Sequence, residues 1–157
     1  CAFIRNPFCS MHTEVQQDAA VFYSHSEMID APISLIYDII SDVAQWPAWQ
    51  SAVNRTYFQG ACQKGKEFKW HSSGMAFKGL VHTANPPLEF GWVARSMWFK
   101  VVFNWSLEER DGQVMVTSEE SLSGLGAEFL TNTIKSNMQF TLMELKKYAE
   151  SLALVSV

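Results

Sequence analysis

GAEFLTNTIKSNMQFTLMELKKYAESLAL, residues 126–154, carries apolar side chains at Leu130, Ile134, Met138, Leu142, Leu145, Ala149 and Leu152, always three or four positions apart. That spacing gathers them on one face of an α-helix. Gly124 and Gly126 punctuate its start and no proline interrupts it. The segment therefore predicts a helix of roughly 28 residues, a rod on the order of 40 Å long. Such a rod spans a small domain. Nearly everything before it, from Ala20 to Leu122, reads as strands, and those strands have to cover it.

Two turns fix the register of the strands. If Ser73-Gly74 is a two-residue hairpin loop, Ser72 pairs with Met75, Trp70 with Phe77, Phe68 with Gly79 and Lys66 with Val81. One face then carries Phe68, Trp70, Phe77 and Val81, and the other Lys69, His71, Lys78 and His82. Asp111-Gly112 is a type I′ signal that pairs Leu107 with Val116, Trp105 with Ser118, Phe103 with Glu120 and Val101 with Leu122. Between the hairpins, Asn85-Pro86-Pro87 ends one strand, and Leu88 to Ala94 supplies another with Phe90, Trp92 and Ala94 on a single face. Upstream, Ala20 to Ile29 reads as a first strand. Asp30-Ala31-Pro32 opens a helix buried along Leu35, Ile36, Ile39, Ile40 and Val43, and Trp46-Pro47-Ala48-Trp49 makes a second, short one. The expectation is an α+β domain: a curved antiparallel sheet of about six to seven strands wrapped around the long C-terminal helix, with two short helices after the first strand.

At 157 residues the chain has the length of one domain. Residues 18–157 are assigned to that domain. Residues 1–17 lack periodicity and read as a loose arm, with Met11 as a candidate natural start. Cys1, Cys9 and Cys62 are odd in number and show no C-x-x-C spacing, which points to a reduced, cytoplasmic setting without disulfides or thiolate metal sites. The net charge of −4 argues against nucleic acid as a partner. No run reaches the roughly 20 apolar residues of a membrane span, so stable membrane insertion is not expected. Aromatic content of 13%, with six tryptophans, is high against 18% charged residues, and fits a cavity lining as well as a solid core.

The order and spacing of several segments, over about residues 20–153, resemble the SRPBCC superfamily. They are Ile29-Asp30-Ala31-Pro32, Ile40-Ser41-Asp42-Val43, Trp46-Pro47-Ala48-Trp49, Asn85-Pro86-Pro87 with Trp92, Phe103-Asn104-Trp105-Ser106-Leu107, and Glu119-Glu120-Ser121. The nearest part of that superfamily is its polyketide cyclase/dehydrase-like group, which shares the helix-grip fold of START domains and the birch-pollen allergen. The resemblance implies an internal hydrophobic cavity between sheet and C-terminal helix, used by relatives for lipids, polyketides, hormones or quinones. It implies no particular reaction. Phe103 stands where many relatives carry histidine, which argues against acid–base chemistry at that position.

Three uses of the chain follow: binding of a small hydrophobic or aromatic molecule, an aromatase/cyclase-type enzyme, or an interaction module like the chaperone-ATPase-activator branch. The expected ligand-contacting residues are Phe68, Trp70, Phe77, Val81, Trp92, Phe103, Trp105, Ser118, Glu120, Ile134 and Met138. Glu120 is the one catalytic candidate, because a carboxyl pointing into an apolar interior is pushed toward its protonated form. His25 joins it if the first strand turns that side chain inward. His71 and His82 share a face without ligand spacing, so no metal and no cofactor are expected. Arg95 to Phe99 puts large apolar groups in a turn and reads as a pocket rim or partner surface. Phe129, Phe140 and Met143, off the main helical stripe, mark a mouth-side patch or a homodimer contact.

Overall fold

A computed structural model describes residues 19–58, 60 and 62–156; the arm expected at residues 1–17 lies outside them. The strands are β1 (Val21–Ile29), β2 (Val53–Tyr57), β3 (Glu67–Ser72), β4 (Met75–Asn85), β5 (Glu89–Arg95), β6 (Phe99–Arg110) and β7 (Gln113–Gly124). They form one curved antiparallel sheet in the order β1-β7-β6-β5-β4-β3-β2. From β2 to β7 each strand lies beside its neighbour in sequence, and β1 adds to the free edge of β7.

Both hairpins follow from their turn residues. Ser73 and Gly74 have φ of 49° and 79°, and Asp111 and Gly112 have 50° and 80°. Two successive positive φ values make the tight turn whose twist matches that of the flanking strands. The register is the one this chemistry demands: Ser72 opposite Met75, Trp70 opposite Phe77, Phe103 opposite Glu120 and Trp105 opposite Ser118. Further along β4 the alternation breaks. Val81 pairs with Trp92 but Thr83 pairs with Gly91, so His82 is the extra residue of a bulge. His82 does lie on the outer face, on the side of Gly91 and Asn104, but it is not part of an exposed polar surface there: it is only 4% exposed. Its ring fills the space that a Cβ on Gly91 would need, and Nδ1 lies 2.8 Å from the Thr83 hydroxyl.

After β1 come α1 (Ile33–Ser41), a 3₁₀ turn (Val43–Gln45) and α2 (Trp46–Trp49). Pro32 sits one position before the first helical residue, and its carbonyl accepts the Ile36 N–H at 3.1 Å. Trp46 ties this corner to the sheet. Its indole N–H donates to the Ile40 carbonyl at 2.9 Å, and its ring meets Phe68 and Trp70 edge-on at 5.5 and 6.0 Å.

The closing helix, α3, runs Thr131–Val155, preceded by a 3₁₀ turn at Ala127–Leu130. The sequence reading began the α-helix five residues earlier. Gly126 is left-handed, with φ of 78°, and no side chain caps the following turn, so a tighter turn takes up the first N–H groups: that of Phe129 reaches the Gly126 carbonyl at 3.2 Å. The expected stripe is buried at Ile134, Met138, Leu142, Leu145 and Ala149. The second half of α3 is also held by polar contacts. Glu144 accepts the Ser51 N–H at 3.1 Å and Glu150 accepts the Asp30 N–H at 3.0 Å. Lys146 reaches the Met28 carbonyl and the Glu27 carboxylate. The helix packs most closely on β1, α1 and α2, while the rest of the sheet curves away from it. No helix among the described residues is long and apolar enough to cross a membrane.

Candidate functional site

The space between the first half of α3 and the curved sheet is a cavity of about 210 Å³. Its sheet side is an aromatic wall. Trp70 stacks on Phe77 at 5.0 Å, Trp92 stacks on Phe103 at 4.7 Å, and Phe103 meets Trp70 edge-on at 6.4 Å. Alternation along β3 to β7 brings these rings to one face, since facing residues of antiparallel strands point the same way. Gly79 makes room for the wall: a Cβ there would sit 2.8 Å from the Phe68 ring and 2.9 Å from the Trp70 ring. The opposite side is α3, with Ile134, Asn137, Met138 and Thr141 one or two turns apart.

Of the residues singled out in the sequence, Trp70, Phe77, Trp92, Phe103, Trp105, Ser118, Glu120, Ile134 and Met138 line this cavity. Phe68 and Val81 do not. They are 2% and 1% exposed and pack into the solid core, Phe68 between Trp46 and Phe58. The alternation placed both on the inner face correctly, but depth behind other rings does not show in a period of two. Sequence reasoning missed Met75, Phe99, Leu130 and the loop residues Gln50 and Ala52, which also line the cavity. The loop after α2 has no periodicity to read. Phe99 belongs to the turn region already marked as a rim, and it is the member of that turn that points inward.

Glu120 lies on β7 opposite Phe103 of β6 on one side and Tyr23 of β1 on the other. Among the described residues no hydrogen bond or ion pair reaches its carboxyl group. The residue is half-buried and its side chain lines the cavity. Burial without a compensating cation disfavours the charged form and pushes its pKa up to about 8. At neutral pH Glu120 is therefore mostly a neutral acid, able to donate a hydrogen bond. Ser118, two residues before it on the same face, adds a hydroxyl. The indole N–H groups of Trp92 and Trp105 are sealed from the void and find no acceptor among the described residues. Glu120 and Ser118 are accordingly the polar groups that β7 presents to the cavity, and Thr133, Asn137 and Thr141 are those of α3.

His25 does not join Glu120. It faces Ser118 across the β1–β7 ladder, stacks on Tyr23 at 6.3 Å and does not line the cavity. The Tyr23 hydroxyl instead accepts from Gln139 at 2.9 Å. No cluster of three metal-ligating side chains occurs among the described residues. Cys62 is a free thiol that burial holds protonated, with its pKa raised to about 11.

The mouth follows from residues that line the cavity and yet are exposed: Ser73 and Met75 at the β3–β4 tip, and Thr133 and Asn137 on α3. A second, wider depression of about 600 Å³ involves Asn85, Pro87, Glu89, Glu108 and Glu109. It is a surface groove to which α3 contributes nothing.

Comparison with solved structures places this architecture among known ones. A hypothetical protein of Helicobacter pylori matches with 17% identity, 86% of this chain and 91% of that one, at a TM-score of 0.78. A START superfamily protein from Mycobacterium smegmatis matches with 14% identity over 87% of this chain and 99% of that one, at 0.65. The di-domain ARO/CYC StfQ from the steffimycin biosynthetic pathway matches with 12% identity over 85% of this chain and 52% of that one, at 0.73. At these identities the likeness concerns the fold. No curated protein matches the sequence significantly. The family model for polyketide cyclase / dehydrase and lipid transport matches residues 22–150, and the chain belongs to that family.

Proposed function

We propose that this domain binds a compact hydrophobic or aromatic molecule between the aromatic wall and the first half of α3, and that Glu120 orients it by donating a hydrogen bond to an acceptor oxygen. The observation that carries this reading is one carboxyl group, without a hydrogen-bond or ion-pair partner among the described residues, set in a mainly aromatic and aliphatic cavity whose other polar groups are neutral hydroxyls and amides. Volume narrows the ligand class. An apolar cavity of about 150 Å³ takes up benzene, so 210 Å³ suits one ring or two fused rings. A long acyl or polyketide chain requires α3 and the β3–β4 tip to move apart. Stacked rings supply dispersion and apolar burial, and the carboxyl supplies direction.

An enzymatic alternative rests on the same residue. A carboxyl whose pKa burial raises to about 8 is suited to general acid–base catalysis, and a di-domain ARO/CYC protein shares the fold. The interaction-module reading asks nothing of the cavity. Native mass spectrometry of the purified protein, followed by titration with one- and two-ring ketones and phenols, separates the three. Retained or titratable aromatic ligand supports the binding reading. Turnover lost in Glu120→Gln with affinity preserved moves the assignment to the enzyme. A cavity that takes up no aromatic probe refutes both and leaves the outer surface.

A further inference from the structure

Five of the six tryptophans are buried, none more than 7% exposed, while Trp98 is 67% exposed. It does not stand alone. Met97 beside it is 85% exposed, and Leu125 and Phe129 are 89% and 84% exposed. The two turns carrying these residues abut: Phe99 pairs with Gly124, and a Cβ on Gly124 would overlap the Trp98 carbonyl oxygen. Phe129 lies one helical turn before Thr133 at the cavity mouth. Four large apolar side chains thus protrude beside the opening, at the end of the domain where the cavity meets solvent.

A second feature sits directly behind them on the outer face of the sheet. Lys69 of β3 pairs with Lys78 of β4, Lys78 with Arg95 of β5, and Arg95 with Lys100 of β6. Facing residues share a side, so four cations stand in one row across four adjacent strands. Among the described residues the row's ion pair is Lys78 with Glu67, at 3.2 Å and largely exposed. Like charges directly opposite one another destabilise a sheet, and this chain, at net charge −4, nevertheless concentrates four of its 12 lysines and arginines there. Arg95 and Lys100 lie two residues either side of Met97 and Trp98, about 7 Å along the strands.

We propose that this end of the domain docks on an anionic lipid bilayer, with Met97, Trp98, Leu125 and Phe129 entering the interface and the Lys69–Lys78–Arg95–Lys100 row engaging the headgroups. An exposed indole with other large apolar side chains is the composition of an interfacial anchor, and a cation row set back from it matches the depth of the headgroup layer. Docked in this way, the mouth at Ser73, Met75, Thr133 and Asn137 lies next to the bilayer, where a hydrophobic molecule can pass without crossing water. The proposal does not depend on which molecule the cavity holds.

The test is partition of the full chain into large unilamellar vesicles of phosphatidylcholine with about 30% phosphatidylserine, against pure phosphatidylcholine, read by co-sedimentation. Binding to the anionic vesicles is expected, weakening as salt is raised. Arg95→Gln/Lys100→Gln lowers the partition coefficient about 30-fold at low ionic strength, and Trp98→Ala lowers it about tenfold. Each variant keeps its melting temperature to within a few degrees, since Arg95 and Trp98 are exposed and glutamine retains part of the aliphatic stem of the half-buried Lys100. Brominated lipid quenches the fluorescence of the wild type but not the residual emission of Trp98→Phe. Equal partition into neutral and anionic vesicles, no partition, or variants that partition like the wild type would overturn the proposal. So would capture of a nucleic acid or an acidic protein without vesicle binding.

Discussion

Replacing Glu120 by glutamine should make the protein more stable at alkaline pH while leaving it almost unchanged in acid. Glutamine has the same shape as the protonated side chain and cannot ionise. The folded-state pKa is about 8, against a usual value of 4.5. Between those limits the folded state holds a proton that the unfolded chain has released. For such a raised carboxyl the stability is full below pH 4.5 and declines as the pH rises through 8. At about 1.4 kcal/mol per pKa unit the wild type loses about 4 kcal/mol between pH 5 and pH 9. That is an upper bound, because Glu120 borders a cavity that water can enter, and partial hydration of the carboxylate brings the loss toward about 2 kcal/mol. For a domain of this length the difference corresponds to roughly 5–15 °C in melting temperature. Thermal or urea unfolding of both proteins at several pH values measures it. The expected result is a Glu120→Gln advantage that grows from near zero at pH 5 to its maximum by pH 9. An offset that stays constant with pH would mean that Glu120 ionises as an ordinary surface carboxyl, and the donor role assigned to it would fall.

Ligand affinity should carry the same signature: a one- or two-ring carbonyl compound binds independently of pH below about 7 and loses up to tenfold per unit above 8, a dependence absent in Glu120→Gln, as isothermal titration across that range would show. Gly79→Ala forces a methyl into the Phe68 and Trp70 rings and should cost about 1–3 kcal/mol in urea unfolding, with loss of ligand binding from the displaced wall. The two halves of α3 should respond differently. Leu142→Ala, at a side chain with no exposure, removes about 2–5 kcal/mol. Thr133→Ala at the mouth stays within about 0.5 kcal/mol by the same assay.

What the sequence made legible depended on local chemistry that admits one solution. Ser73-Gly74 and Asp111-Gly112 each allow a single tight-turn geometry, and a two-residue turn sets every pair down the ladder. That is why the sequence alone puts Glu120 opposite Phe103 and on the inner face. The stripe from Leu130 to Leu152 was equally plain because a helix repeats its chemistry every turn. Features that depend on a neighbour distant in the chain were not legible. The bulge at His82 exists because Gly91, on the next strand, leaves a hole for the imidazole. Phe68 and Val81 differ from Trp70 and Phe77 only in what lies in front of them, which is set by Trp46 and the curvature of the sheet. Gln50 and Ala52 reach the cavity because Glu144 of α3 holds the Ser51 N–H, a contact across more than ninety residues that no local pattern announces.

The order of strands bears on how the chain is made. β2 to β7 are joined by short connections and can zip as successive hairpins, whereas β1 pairs only with β7, Val21 opposite Leu122. Closing a loop of about a hundred residues is slow, and its contacts reward the chain only once the loop has closed. During synthesis at about 5–20 residues per second, β1 waits roughly 5–20 s for its partner. Throughout that interval Val21 to Ile29, rich in aromatic and branched side chains, is an unpaired strand. The first strand of this sheet to leave the ribosome is the last of its strands to be covered, so the sheet's greatest exposure to aggregation falls before it is finished.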